Sequence, residues 1–297
     1  MHRAMDGLLI IDKPAGMTSA QVVATVKHRL HRKTGHLGTL DPFASGVLPL
    51  CIGEGTKIAQ FLNTSDKDYA GVIQLGMATD TGDHTGTPVH TAPVPPLESL
   101  DLGVIAHRFL GDALQVPPMY SAVKRAGTRL YKLARKGIDV DREPRPIRIH
   151  ALALALVGAD RVRVTVSCSK GTYVRVLAEH IAQALGTVGH LVMLQRTRFD
   201  RFGIDAAQCL EVIDPGSARI IPLRECLVHL KEIELAPSME RRARQGYEPL
   251  LAHIAPGRCG EAVKLVSPSG ALTAVIVMHE SGRWQFARVF ADSTATK

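Results

Sequence analysis

Residues 7–12 form a short apolar run that stops at Lys13-Pro14, which predicts a strand. Thr18 or Ser19 can then cap a helix whose apolar positions, Val22, Val23, Val26 and Leu30, recur at helical spacing. Residues 35–57 are dense in Gly and Pro and read as a loop followed by a short buried element. Residues 69–76 alternate as a strand, and the TDTGDHTG stretch after them is turn chemistry. Four prolines between 86 and 96 mark a linking loop. Residues 161–167 (RVRVTVS) alternate cleanly as another strand. A turn at 170–173 leads into helical spacing over 174–185, ended by Gly186, so Tyr173 and Arg175 fall near a helix N-terminus. From about residue 231 the pattern changes to short strands at 261–266, 271–278 and 284–290, with one helix around 238–245. The runs at 151–159 and 271–278 are far shorter than the ~20 residues of a membrane span. A cytoplasmic protein without membrane partners is expected.

The chain has 297 residues, 45% hydrophobic and 22% charged, which excludes disorder as the main state and suits about two domains. The expected division is residues 1–231 and 232–297. A net charge of +8 bears on partners rather than fold, and nucleic acid is the favoured one. Residues 120–148 carry nine Lys/Arg against three acids, 9 − 3 = +6, with Tyr120 and Tyr131 interleaved. This segment reads either as a solvated face or as a lobe that tracks a phosphate backbone. The module 232–297 has eight basic and seven acidic residues, so it carries only +1. Five scattered cysteines without a CxxC pair support neither a disulfide framework nor a zinc ribbon.

His28, His31 and His36 lie in a basic segment with no carboxylate or thiolate to complete a metal site. GEGTK (53–57) lacks the ending of a phosphate loop, and neither GxGxxG after a strand nor GxSxG occurs. Asp41 is what remains. Pro42 biases it toward an extended conformation, and Gly38 and Gly46 on either side allow close approach of backbone or ligand. Alone, an aspartate before a proline is equally a plain turn.

The wider constellation decides the reading. GHLGTLDPFASGVLPLCIGEGTK (35–57) resembles the catalytic-aspartate motif of the TruB family of pseudouridine synthases. GLLIIDKPAGMTS (7–19), DKDYAGVIQLGMATDTGD (66–83), QVPPMYSAVKRAGTRLYKLARKG (115–137) with REPRPI (142–147), and SKGTYVRVLAEHIAQALG (169–186) fit in the same order. The match covers most of residues 7–200, and the C-terminal part is similar to a small PUA-type RNA-binding barrel.

The resemblance implies an α+β pseudouridine synthase catalytic domain with a mixed, largely antiparallel sheet, followed by a PUA-like β-barrel. It implies isomerisation of the uridine at position 55 in the tRNA T loop. The C1′–N1 bond breaks and the base rejoins through C5, so no atoms or electrons are exchanged and neither cofactor nor metal is called for. Asp41 would be the essential carboxylate, acting as nucleophile, oxocarbenium stabiliser or proton acceptor. Arg175 would pair with it. Tyr69 would stack on the base and serve proton removal at C5. Leu194 would line the base pocket, with Tyr173 beside Arg175 and Lys13 close by at the site. The base must be flipped out to react, and His36 would fill the vacated stack. Segment 120–148 would be a thumb-like insertion over the T arm, with Lys124, Arg129 and Lys132 on phosphates. The partner is tRNA, and the expected state is a monomer that requires no protein partner. A non-catalytic tRNA-binding or folding module on the same fold is the alternative; Asp41, Tyr69 and Arg175 together favour the enzyme.

Overall fold

The structure is a computed structural model that describes residues 6–62, 66–125 and 127–291. The longer strands of its main sheet are β1 (Gly7–Lys13), β2 (Thr34–His36), β3 (Ser45–Ile52), β4 (Lys67–Leu75), β5 (Gly111–Gln115), β6 (Arg145–Gly158), β7 (Arg161–Cys168) and β8 (Gly189–Phe199), with two-residue strands at Phe202–Gly203, Gln208–Cys209 and Ile221–Pro222 added at its margins. The spatial order is β1-β3-β8-β4-β7-β6-β5, with β2 pairing β3 off this path. All these pairs are antiparallel except β3 with β8. That one parallel pairing sets Arg196 against Gly46, and β8 then sets Arg196 against Tyr69 of β4. Segments some 150 residues apart thereby meet on three adjacent strands.

Helix α1 (Ser19–Leu30) starts at a capping box. The Thr18 hydroxyl accepts from Gln21 N (3.1 Å), and the Gln21 side chain accepts from Thr18 N (2.8 Å). Helix α2 (Val174–Ala184) follows Tyr173. Both helices cover one face of the sheet, packing Val22, Val26, Leu177 and Ile181 onto Leu9, Leu48, Ile73 and Val164.

The C-terminal unit has β9 (Lys231–Glu234), α3 (Pro237–Arg244), β10 (Ala262–Val266), β11 (Leu272–Met278) and β12 (Trp284–Val289). Its four strands run in sequence order, with β9 parallel to β10 and the other pairs antiparallel. Among the described residues the ladder ends on β9 and β12, a sheet consistent with the expected PUA-like module. Leu272, Val275 and Phe290 pack with Leu8, Ile10, Val47 and Phe199 on the second face of the main sheet. Leu235, Ala243, Leu250, Leu265, Ile276 and Trp284 form a core of the C-terminal unit's own, so beyond residue 231 one cluster is private and one is shared with the main sheet.

Two elements differ from expectation, and a third, β8, has no signal in the sequence pattern. Pro88–Thr91, within the supposed linking loop, pairs as a short strand with Met77–Thr79. β8 shows no alternation because it is central and bulged, with register shifts after Leu191 and Arg196. The basic segment 120–148 is not one lobe. Lys124–Arg125 and Thr128–Arg129 form a hairpin and Leu130–Ala134 a short helix, but Arg145 already begins β6. Arg148 is also spent, pairing with Asp112 at 2.9 Å.

Candidate active site

Asp41 stands on a loop tied down on every side. The Ser19 hydroxyl both accepts from Leu40 N and donates to Leu40 O at 3.0 Å. Gly16 N donates to Pro42 O (2.8 Å), and Lys13 Nζ reaches the same carbonyl (3.2 Å). The flanking glycines are required. Gly38 has φ +63°, and Gly46 has φ +101° with backbone so close that an added Cβ would lie 2.3 Å from Arg196 O.

Arg175 meets Asp41 through Nε–Oδ2 at 2.9 Å and Nη2–Oδ1 at 3.4 Å. Its remaining donors go to Thr81 O (2.6 Å) and Tyr120 O (2.7 Å), and Asp83 lies 3.9 Å away. The Arg175 side chain is 4% exposed, while that of Asp41 is 33% exposed. A cation in the first turn of α2 opposes the helix dipole, so its ion pairs, not its helix, account for its place. The carboxylate is thus gripped from behind and open in front.

In front of it is a cavity of about 300 Å³, lined by Asp41, Tyr69, Tyr173, Arg175, Leu194 and Arg196, with Lys67 and Lys170 among the other lining residues. This lies at the lower end of small-ligand pockets. Tyr69 is buried, which pushes its phenol up from its ordinary value. Burial likewise pushes the Tyr173 phenol up. The Tyr173 backbone is clamped by buried Gln115, which accepts from Tyr173 N (2.7 Å) and donates to Tyr173 O (3.2 Å). Lys67, over the Phe199 ring at 4.8 Å, is lowered to about 8 mainly by burial.

The other expected site residues fall outside the cavity wall. Lys13 is fully buried, and its ammonium donates to Pro14 O (2.9 Å), Met17 O (2.5 Å) and Pro42 O (3.2 Å). With three donors spent it has none for RNA, so its expected substrate contact is corrected to a strut under the Asp41 loop. Burial lowers it to about 8, against the opposing pull of Asp41. His36 is half-buried on β2; burial lowers its ring, and the charges of Arg196 and Arg129 act in the same direction. Lys124, Arg129 and Lys132 are exposed on the hairpin and short helix. Among the described residues no group of three or more His, Cys, Asp or Glu could hold a metal, and no helix is long and apolar enough to cross a membrane.

Sequence reasoning missed Asp83, Gln115, Lys67 and Arg196. The one available signal was a polar residue inside an apolar stretch, as with Arg196 in HLVMLQRTRF.

Residues 27–174 match the family described as TruB family pseudouridylate synthase (N terminal domain). A protein of Psychrobacter cryohalolentis named tRNA pseudouridine synthase B is 43% identical over 253 residues, 82% of this chain and 70% of that protein. The chain belongs to the TruB family of pseudouridine synthases. A same-named TruB relative from Hydrogenovibrio crunogenus is 47% identical over 233 residues, 78% of this chain and 77% of that one. Among solved structures, a chain of a Cbf5–Nop10–Gar1 complex superposes with a TM-score of 0.71 at 25% identity, covering 99% of this chain and 86% of that one. This TruB-family chain is therefore an isomerase.

Proposed function

We propose that the enzyme converts uridine 55 in the T loop of tRNA to pseudouridine, with Asp41 as the essential carboxylate. One observation carries this reading: Asp41 is held by a buried arginine and open on one side to a nucleoside-sized cavity that also holds Tyr69. The curated relatives named tRNA pseudouridine synthase B support the substrate.

In this reading the base leaves the stack and enters the cavity, against the Tyr69 ring and Leu194. Asp41 acts at the sugar or base as the C1′–N1 bond breaks; the base turns, C5 bonds to C1′, and the C5 hydrogen leaves while N1 gains one. Arg175 keeps the carboxylate aimed through these steps. His36 fills the gap in the RNA stack, and the hairpin with Lys124, Arg129 and Lys132 lies on the T-arm backbone. The chain carries its own basic hairpin and C-terminal module, which supports action as a monomer without a protein partner. A tRNA substrate supports a cytoplasmic place.

The test is an unmodified tRNA transcript incubated with enzyme, treated with carbodiimide and read by primer extension. A single stop one nucleotide 3′ of position 55 is expected, absent when position 55 is cytidine. Product elsewhere, or none, would overturn the assignment.

A further inference from the structure

The proposed mechanism gives no part to Lys67, a buried cation of the cavity wall. It is the first residue of β4 and 9% exposed, and it lines the cavity in front of Asp41. Its backbone is locked between two strands, with Cys168 of β7 and Phe199 of β8 as ladder partners. The alternation of β4 puts Lys67 and Tyr69 on one face, about 7 Å apart along the strand. Its Cε lies against the start of the Asp41 loop, where a Cβ added at Gly38 would be 3.5 Å away. The ammonium sits 4.8 Å from the centre of the Phe199 ring, which lines the same cavity.

Burying an ammonium is costly, and an aromatic face offsets only part of the cost. Burial lowers the amine to about 8, with the charges of Arg196 and Lys170 acting in the same direction, so it stays protonated at neutral pH. Lys13 shows the structural use of such a group, since its donors hold three backbone carbonyls. Lys67 differs in standing on the cavity itself, and the reaction has a use for a cation there. When the C1′–N1 bond breaks, its electron pair stays with the base, as an anion spread over N1, O2 and O4. Attack of Asp41 on the base would likewise push electrons onto a ring carbonyl. Arg175 is committed to Asp41, Thr81 O and Tyr120 O. Arg196 spends Nε on Val47 O (2.7 Å) and Nη2 on Gly38 O (2.9 Å). Lys170 is exposed, where water screens its charge.

We propose that Lys67 is a catalytic residue of the isomerisation: its ammonium donates to a carbonyl oxygen of the flipped uracil and stabilises the negative charge that the ring takes up as the C1′–N1 bond breaks. The electron pair is spent again when C5 bonds to C1′, so Lys67 keeps its protons throughout. The proposal rests on the reading of the cavity as the site of the target base.

The experiment compares Lys67→Met with wild type in single-turnover isomerisation of an unmodified tRNA transcript, in tRNA affinity across salt, and in Tm. Removing one donor to a developing oxyanion costs about 10²- to 10³-fold in rate. A loss of that size is expected, with affinity within about 3-fold. Tm should not fall, since methionine fills the space without a buried charge. Wild-type chemistry in the variant would overturn the proposal. So would weakened affinity with a salt slope lower by about one and the rate kept, which would make Lys67 a phosphate contact. A second arm uses a synthetic T-arm RNA with 5-fluorouridine at the target alone, its conversion followed by chromatography of nuclease digests. Fluorine stabilises the ring anion, so the deficit of Lys67→Met should shrink several-fold; an unchanged deficit would overturn the proposal. If wild type acts on another uridine, the assigned position fails, while the same comparison on that uridine still decides Lys67. Should Lys67→Met not fold, Lys67→Gln serves. It removes the charge and should slow the step in the same sense, and a wild-type rate would overturn the proposal.

Discussion

Replacing Arg175 with methionine keeps the bulk of the side chain and removes every donor. Four contacts vanish: two on Asp41, one on Thr81 O and one on Tyr120 O. Breaking a buried ion pair by deleting one partner costs about 3–5 kcal/mol. Asp41 is one-third exposed and can recover some hydration, whereas the two carbonyls and buried Asp83 cannot. A loss near the lower end, about 3 kcal/mol, is therefore expected, which lowers Tm by roughly 6–10 °C at this chain length. The chemical step should suffer more. Two charge-assisted hydrogen bonds of about 1.5–3 kcal/mol each aim the carboxylate, so their loss corresponds to roughly 10²- to 10⁴-fold in rate. Affinity for tRNA should change little, because the Arg175 side chain is too buried to touch a phosphate. Release of tritium from tRNA labelled at uridine C5, under single-turnover conditions below the melting range, measures the rate; filter binding measures affinity. A variant that loses affinity more than about 10-fold while keeping the wild-type rate would make Arg175 an RNA contact and refute the reasoning.

Two further outcomes follow from the charges. Changing Lys124, Arg129 and Lys132 together to Gln should lower the slope of log affinity against log salt by roughly two to three units, since each lost phosphate contact removes about one; an unchanged slope would take the hairpin off the RNA. Lys13 titrates at about 8 in the fold against 10.5 in the open chain, so between these values the unfolded chain binds more protons and stability rises with pH. Below about 8 both states are protonated and the penalty is fully present. Denaturant unfolding should thus show wild type gaining on Lys13→Met by up to about 3 kcal/mol from pH 8 to 10.5; a constant difference would contradict the buried ammonium.

How much of this was legible depended on the kind of signal. Pro42, Gly38 and Gly46 wrote the backbone of the Asp41 loop in single residues, but only the resemblance of several long motifs in order singled out Asp41 itself. α1, α2 and β4 showed their periods because one face of each meets solvent or loop. β8 did not, since a bulged central strand has no polar face, and with it went the structural role of Arg196. Lys13 was expected close to the site, and there it is, but its three carbonyl acceptors, which make it a strut and not a substrate contact, come from tertiary structure alone. The core shared by Phe290, Leu272 and Leu8 joins distant segments by tertiary contact alone, which no local pattern near residue 231 could signal. The thumb charge was overcounted for a similar reason, because Arg145 and Arg148 belong to β6 of the main sheet, paired with β5.

The central claim, that the Asp41 carboxylate carries the reaction, is tested most directly by Asp41→Asn. The amide is nearly isosteric, and its oxygen can still accept from Arg175, but it is neither an anion nor a competent nucleophile. Single-turnover isomerisation of an unmodified tRNA transcript, with affinity measured in parallel, should show no pseudouridine formed and binding kept within a few-fold. Near-normal turnover by Asp41→Asn would contradict the account.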